Sequence, residues 1–453
     1  LESNLASTSK SAEKAKAGAA TAVKSARTTN RTRIIGITLT GAGAAAALVV
    51  AGRVSGADTA SSPAPAAAAA PTVTTVPGMP TVVDARNLYS ETAAGKLKDA
   101  VKGDLERIYV PNLRSDDVYV IDPATAKVIE KYKVGVGPQH IVPSWDLRTL
   151  WVTNNAERRT DGSLTPIDPK TGKAGKAVPV DDPYNMYFTP DGKSAIVVAE
   201  ARRRLDFRDP QTMAMQYSID TPKCGGINHA DFSIDGRYAL FTCEFDGALV
   251  KIDLVDRKVL GYLKLNMPRT RYKEAPDPAG PGASEICTST KGMPQDIRSS
   301  PDGKRFFIAD MEADGVHVVD GEAFKEVGFI PTGVGTHGLY PSRDGKSLYV
   351  ANRGSHKIHG PRKGKGGGVS VIDFASQRVV AQWPIPGGGS PDMGNVSADG
   401  KWLWLSGRFD DVIYRIDTSN GSMIQIPVGQ EPHGLTVWPQ PGRYSLGHTG
   451  NLR

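Results

Sequence analysis

Several signatures of chemistry are missing from this sequence. It has no Gly-rich phosphate loop, no nucleophile elbow and no His-x-x-x-His pair. Phosphoryl transfer, α/β-hydrolase chemistry and helix-borne zinc proteolysis therefore have no residues to run on. Cysteine is scarce, three in 453 residues. Positive charge outside the first 33 residues is also scarce. The formal net charge is +7, but residues 1–33 hold Lys10, Lys14, Lys16, Lys24, Arg27, Arg31 and Arg33 against Glu2 and Glu13, so +5 belongs to that stretch and +2 to the rest. The bulk of the chain has no basic patch of the kind nucleic acid requires, and no nucleic-acid partner is expected.

An uncharged run of 19 residues, 34–52, comes directly after the basic stretch. A basic segment ahead of an apolar run is an export signal with positive-inside orientation. No Arg-Arg pair precedes it. Two outcomes stay open: cleavage among the small residues Val54, Ser55, Gly56 and Ala57, or retention as a single membrane anchor, for which a Gly- and Ala-rich run of this length is short. Both make the protein extracytoplasmic, either secreted or anchored on the outer side of the cytoplasmic membrane. Residues 1–57 are thus read as basic tail and signal peptide or anchor, and 58–85 as an Ala/Pro/Ser-rich linker. Residues 86–106 are a short helical lead-in, with Ser90 predicted to cap a helix over 90–101.

Residues 107–453 are built from one repeated unit. In residues 335–352 a strand, an Asp344-Gly345 turn and a second strand form a hairpin signal. Residues 368–373 give a third strand ending on Asp373, and 378–385 a fourth. The third-strand aspartate recurs at Asp122, Asp168, Asp209, Asp253, Asp320, Asp373 and Asp417, and five of the six gaps run from 41 to 53 residues. Related turns stand upstream at Asp191-Gly192, Asp235-Gly236, Asp302-Gly303 and Asp399-Gly400. One such sheet cannot bury its apolar face alone, so the units must stack around an axis. The expected fold is all-β, a seven-bladed β-propeller. Its N-terminal blade lacks a first strand, which residues 432–438 are expected to supply, closing the ring. Residues 444–449 are a competing second-strand copy.

Tyr349-Val350-Ala351-Asn352, Trp151-Val152-Thr153-Asn154 and Tyr109-Val110-Pro111-Asn112 resemble the YVTN repeat of bacterial extracytoplasmic β-propellers. The Asp-Gly-Lys turns and Val-Ile-Asp strand ends fit the same pattern. The likeness covers roughly residues 107–453. The chain is more distantly similar to the haem-carrying propeller of dissimilatory nitrite reductases. That family has eight blades and a fused cytochrome c domain, whereas this sequence has no Cys-x-x-Cys-His. The YVTN family is functionally mixed, so the resemblance implies a fold and a compartment, and no activity.

Candidate site residues come from the face where first strands begin. Two insertions, 266–291 and 353–368, fall there, and long loops on a rigid ring are where binding residues collect. Second strands end there in Glu200, Glu244 and Asp310 on three blades and in Arg353, Arg408 and Arg114 on three others, which predicts an acidic and a basic half. Solvated surface charge is the competing reading. His140, His229, His337 and His433 begin first strands, with Asn185, Gln295, Asp296, Asp392 and Met393 at related positions. Four converging imidazoles would bind copper, zinc or iron, and Met393 as a soft thioether ligand would tilt the choice toward copper. Against this, His337 and His229 stand in different registers, and a blade-start histidine also serves as a backbone hydrogen-bond partner. His356-x-x-His359 is a weaker metal signal. The expected function is a binding or scaffold propeller for a protein or small-molecule ligand at the mouth. A metal-dependent oxidoreductase using the axial histidines is the alternative. Hairpin pairing brings Cys224 near Cys243, an exported protein permits that disulfide, and a Cys224–Cys287 bridge or three free thiols compete with it.

Overall fold

The computed structural model describes residues 72–157, 159, 161–268, 291–357 and 366–453. The basic tail, the apolar run, half of the linker, Cys287, His359, most of the insertion 266–291 and half of the insertion 353–368 lie outside the described residues. Among the described residues no helix is long and apolar enough to cross a membrane.

Seven four-stranded antiparallel sheets make up the fold. Numbered along the chain, blade 2 begins at Pro138–Pro143, blade 3 at Pro183–Phe188, blade 4 at Ile227–Phe232, blade 5 at Pro294–Ser299, blade 6 at Thr336–Pro341 and blade 7 at Pro391–Val396. Blade 1 comprises Arg107–Asn112, Asp117–Asp122 and Lys127–Lys133. Its inner position is filled by Thr436–Trp438, with Arg107 opposite Trp438 and Tyr109 opposite Thr436.

Local turn chemistry explains why two aspartate motifs repeat. Each third-strand aspartate accepts backbone N–H groups two or three residues on, as Asp122 does from Ala124 and Asp417 from Ser419. The chain then turns back through a left-handed residue such as Ala126 at φ 55° or Gly421 at φ 77°. This Asx turn needs a short carboxylate at that position. At the first-to-second strand turn, Ser233, Ser300 and Ser342 donate to the aspartate two residues on, and Gly236, Gly303 and Gly345 come next at φ 78°, 68° and 68°. Blade 2 departs from the motif. Ser144 still meets Asp146, but Leu147 takes the left-handed position at φ 64°, fully buried in the core.

The helix expected over residues 90–101 is absent. In its place are two 3-10 turns, Ser90–Thr92 and Asp99–Val101, and Ser90 caps nothing. Gly95 at φ 80° interrupts the segment, which instead attaches to the turn face, with Leu88 N–H donating to Pro301 O and the Tyr89 hydroxyl to Ser299 O.

Cys224 and Cys243 form a disulfide within blade 4, 19 residues apart in sequence. Closing a loop of that length contributes about 3 kcal/mol in the chain-entropy account. Reduction, or Cys224→Ser with Cys243→Ser, is therefore expected to lower the unfolding free energy by about that amount. Denaturant melts with and without dithiothreitol check this, and coincident curves would show that the bridge adds nothing.

Candidate functional site

Each inner strand carries one extra residue near its start. In blade 2, Pro138 faces Asn154 while His140 faces Thr153, which leaves Gln139 unopposed. In blade 4 Asn228 and His229 together face only Thr242, and blades 5, 6 and 7 repeat the pattern. Blade 1 shares it, since Thr436 to Pro432 runs against Tyr109 to Asn112. Such a bulge bends the strand and re-aims its side chains. Two successive residues per blade therefore address the axis, forming two stacked layers.

The upper layer forms the mouth. Gln139, Tyr184, Gln295, His337 and His433 line a cavity of about 320 Å³. Asp392 organises one side of it. Its Oδ1 accepts from Arg353 Nε at 3.1 Å and Nη2 at 2.6 Å and lies 2.9 Å from His337 Nδ1. Its Oδ2 meets His433 Nδ1 at 2.7 Å and Arg408 at 3.9 Å. Burial alone would raise the Asp392 pKa, but Arg353, His337 and His433 hold it well below the usual carboxylate range. Burial and Arg353 push His337 down to about 4, and burial and Arg408 push His433 down to about 3. The hub is an ionised carboxylate between guanidinium groups and two neutral imidazoles.

The facing wall is acidic. Glu157, Asp182, Glu200 and Glu244 line it. Burial raises Asp182 to about 6 against the N–H groups of Ala201 and Arg202. Burial and the charges of Glu244, Asp182 and Glu157 raise Glu200 well above its ordinary value. Burial also raises Glu244, opposed by Gln295, Arg353, Asn228 and Arg408. Phe245, 49% exposed, lines the same side. The two charged halves expected at the mouth are thus partly realised. Glu200 and Glu244 face Arg353 and Arg408 across it. Asp310 is instead a turn brace that accepts N–H groups from Met293, Glu312 and Ala313. Arg114 is bound to Glu157 at 3.4 Å and Glu431 at 3.5 Å.

The lower layer holds His140, His229, Asn185 and Asp296. A histidine the repeat pattern does not mark joins them: His448, carried by the turn His448–Gly450 of the C-terminal tail. Ring centres lie 4.2 Å apart for His140 and His448, 4.6 Å for His229 and His448, and 4.7 Å for His140 and His433. Blade 1 has glycine at this level because a Cβ on Gly434 would collide with the His140 ring.

All four expected histidines therefore face the axis, but in two layers. Among the described residues, the group whose ligand atoms lie within 4.8 Å of one another is His229, Asp296 and His448. His140, His337 and His433 do not join that group. Met393 does not supply the expected thioether either. Its bulge sends Asp392 into the mouth, while Met393 Sδ accepts a hydrogen bond from the Tyr340 hydroxyl at 3.4 Å. His356 sits in the loop of blade 6, 2.9 Å from Asp314.

Comparison with known proteins bears on the fold. Residues 280–441 match the family model of YNCE-like β-propellers. This YNCE-like portion spans blades 5 to 7 and the closing strand. No curated protein matches the chain in sequence. A dihydro-haem d1 dehydrogenase, NirN, in complex with DHE superposes with a TM-score of 0.51 at 13% identity, covering 76% of this chain and 78% of that one. A candidate 6-phosphogluconolactonase from Bacteroides uniformis gives 0.55 at 15% identity, covering 73% and 99%. At these identities the chain shares a fold with both, and the site must be argued from its own residues.

Proposed function

We propose that the protein is an extracytoplasmic binding propeller whose mouth takes a small zwitterionic molecule. The cationic group lies between Glu200 and Glu244, against Phe245, and the anionic group meets Arg408. The carrying observation is the pairing of a carboxylate wall with a guanidinium wall across one cavity of about 320 Å³. The Glu200 carboxyl has no hydrogen-bond or ion-pair partner among the described residues, and burial with the charges of Glu244, Asp182 and Glu157 raises its pKa well above the ordinary value. A ligand cation removes that penalty, and the Phe245 face adds to its attraction. Arg408 Nε is a buried donor without an acceptor. His433, which lines the cavity with Nδ1 on Asp392, keeps a buried Nε2 without a hydrogen-bond partner. The Cys224–Cys243 disulfide favours an oxidising compartment.

Calorimetry with short ω-amino acids, and with the matching simple amines and carboxylates, tests the reading. The zwitterions are expected to bind more tightly than either half. Glu244→Gln or Glu200→Gln removes a charge-assisted bond of about 1.5–3 kcal/mol, so affinity should fall by about 10- to 150-fold. Affinity should rise with pH through about 6, because Asp182 loses its proton there. Without ligand the sign reverses: Asp182 binds its proton more tightly folded than unfolded, so stability falls as pH rises from about 4 to about 6. A panel in which no zwitterion binds, or in which the two substitutions leave affinity unchanged, would sink the proposal.

A further inference from the structure

We propose that a first-row transition-metal ion of the zinc class binds in the channel below the mouth, ligated by His229, His448 and Asp296. This does not depend on the mouth ligand.

The three ligand atoms lie within 4.8 Å of one another. His229 and Asp296 are 0% exposed and His448 1%. His229 Nε2 and His448 Nε2 are buried without a hydrogen-bond partner, as are both ring nitrogens of the adjoining His140. A buried polar atom left unpaired costs about 1–3 kcal/mol, so the unpaired Nε2 atoms of His229 and His448, two residues of the converging group, mark a place built for an occupant, with His140 beside it. Asp296 Oδ1 accepts from Ile297 N–H and Arg298 Nη1, and Oδ2 accepts from Leu339 N–H alone. One lone pair on Oδ2 remains. Two neutral imidazoles and one carboxylate are a donor set of zinc and non-haem iron.

Seating an ion draws the three ligand atoms closer together while the two imidazole centres move slightly apart. Ligands about 2.0–2.1 Å from a tetrahedral ion stand about 3.4 Å from each other and place imidazole centres about 5 Å apart. The His229 and His448 rings are already 4.6 Å apart. His229 must ligate through Nε2 and keep its proton on Nδ1, so Asn185, whose Nδ2 stands 3.2 Å from that nitrogen, turns its amide to present Oδ1 and gives up the bond that Oδ1 accepts from Met186 N–H at 2.8 Å. Arg298, 2.9 Å from Asp296, opposes a dication, and water is the competing occupant of the same nitrogens.

The test uses the full chain, stripped with a chelator and titrated with Co(II), followed by visible absorption and elemental analysis. One equivalent should bind with the d–d bands of a four-coordinate N/O site, and Zn(II) should displace it. The bands should vanish in His448→Gln and in His229→Gln and persist in His356→Ala, with circular dichroism confirming that each variant is folded. Should one fail to fold, Asp296→Asn takes its place. A wild-type chain that binds less than stoichiometric cobalt means water alone fills the site, and that result overturns the proposal. So do bands that survive His448→Gln, which would place the ion elsewhere.

Discussion

Deleting residues 430–453 is expected to abolish cooperative unfolding. The deletion strips the inner strand from blade 1, so Arg107–Asn112 loses its partner Thr436–Trp438. It also removes the tail that fills the end of the channel opposite the mouth. Tyr444 and Leu446 pack with Tyr187, Phe232 and Phe241 in the core under blades 3 and 4. Arg453 and Asn451 donate to the buried carboxylate of Asp231. Val437, Trp438, Tyr444, Leu446 and Leu452 are all 5% exposed or less. At roughly 1.5–3 kcal/mol per buried side chain these five contribute about 7–15 kcal/mol, which matches the whole stability of a typical domain. Removing them also takes away Arg453, the largest of the charges that lower the Asp231 pKa against burial, and leaves that carboxylate with Arg298 and the N–H groups of Phe232 and Ser299. The truncated chain should show no sigmoidal thermal transition and should bind a hydrophobic dye at room temperature. A truncated chain that melts within a few degrees of the full one would show that the ring is closed by other contacts.

The second large effect is expected from Asp392→Asn. The substitution keeps the shape and removes the charge that Arg353, His337, His433 and Arg408 surround. Arg353 and Arg408 are 2% and 3% exposed, so neither recovers its hydration. Removing one partner of such a buried pair costs about 3–5 kcal/mol, or about 4–6 °C in Tm for a domain of this size. The pH dependence adds a separate signature. Asp392 is held well below its ordinary value in the folded state, so its stabilisation is present above the unfolded pKa and disappears as pH falls through the folded one. The wild type should therefore lose this contribution only in strong acid, and the variant should lack that part of the acid limb. Melts across pH 2–7 would refute the assignment if both proteins lose stability in parallel.

The chemistry of short contacts was legible before folding. The seven third-strand aspartates were countable because each closes an Asx turn of four or five residues, a constraint no neighbouring blade can relax. Glu200, Glu244, Arg353 and Arg408 could be placed at the mouth because second strands end there. Asp310 carries the same positional signal, yet three backbone N–H groups compete for its carboxylate and hold it in a turn. The bulges were not legible. One extra residue leaves the apolar pattern of an inner strand intact while changing which side chains reach the axis, and this separates His337 and His433 from His140 and His229. The same shift explains why Asp392 is at the mouth and Met393 is on Tyr340. His448 was missed for a different reason. Its tail belongs to no repeat, and only its packing against the inner strands brings the ring to the axis.

The most direct test of the mouth as a zwitterion site is a crystal structure of the protein grown with the ω-amino acid that binds most tightly at neutral pH. The account predicts the ammonium within about 2.7–3.0 Å of carboxylate oxygens of Glu200 and Glu244. It predicts the ligand carboxylate on Arg408 and the chain of the molecule over Phe245. Density for the ligand on a blade's outer surface, with only water between Glu200 and Arg408, would contradict it.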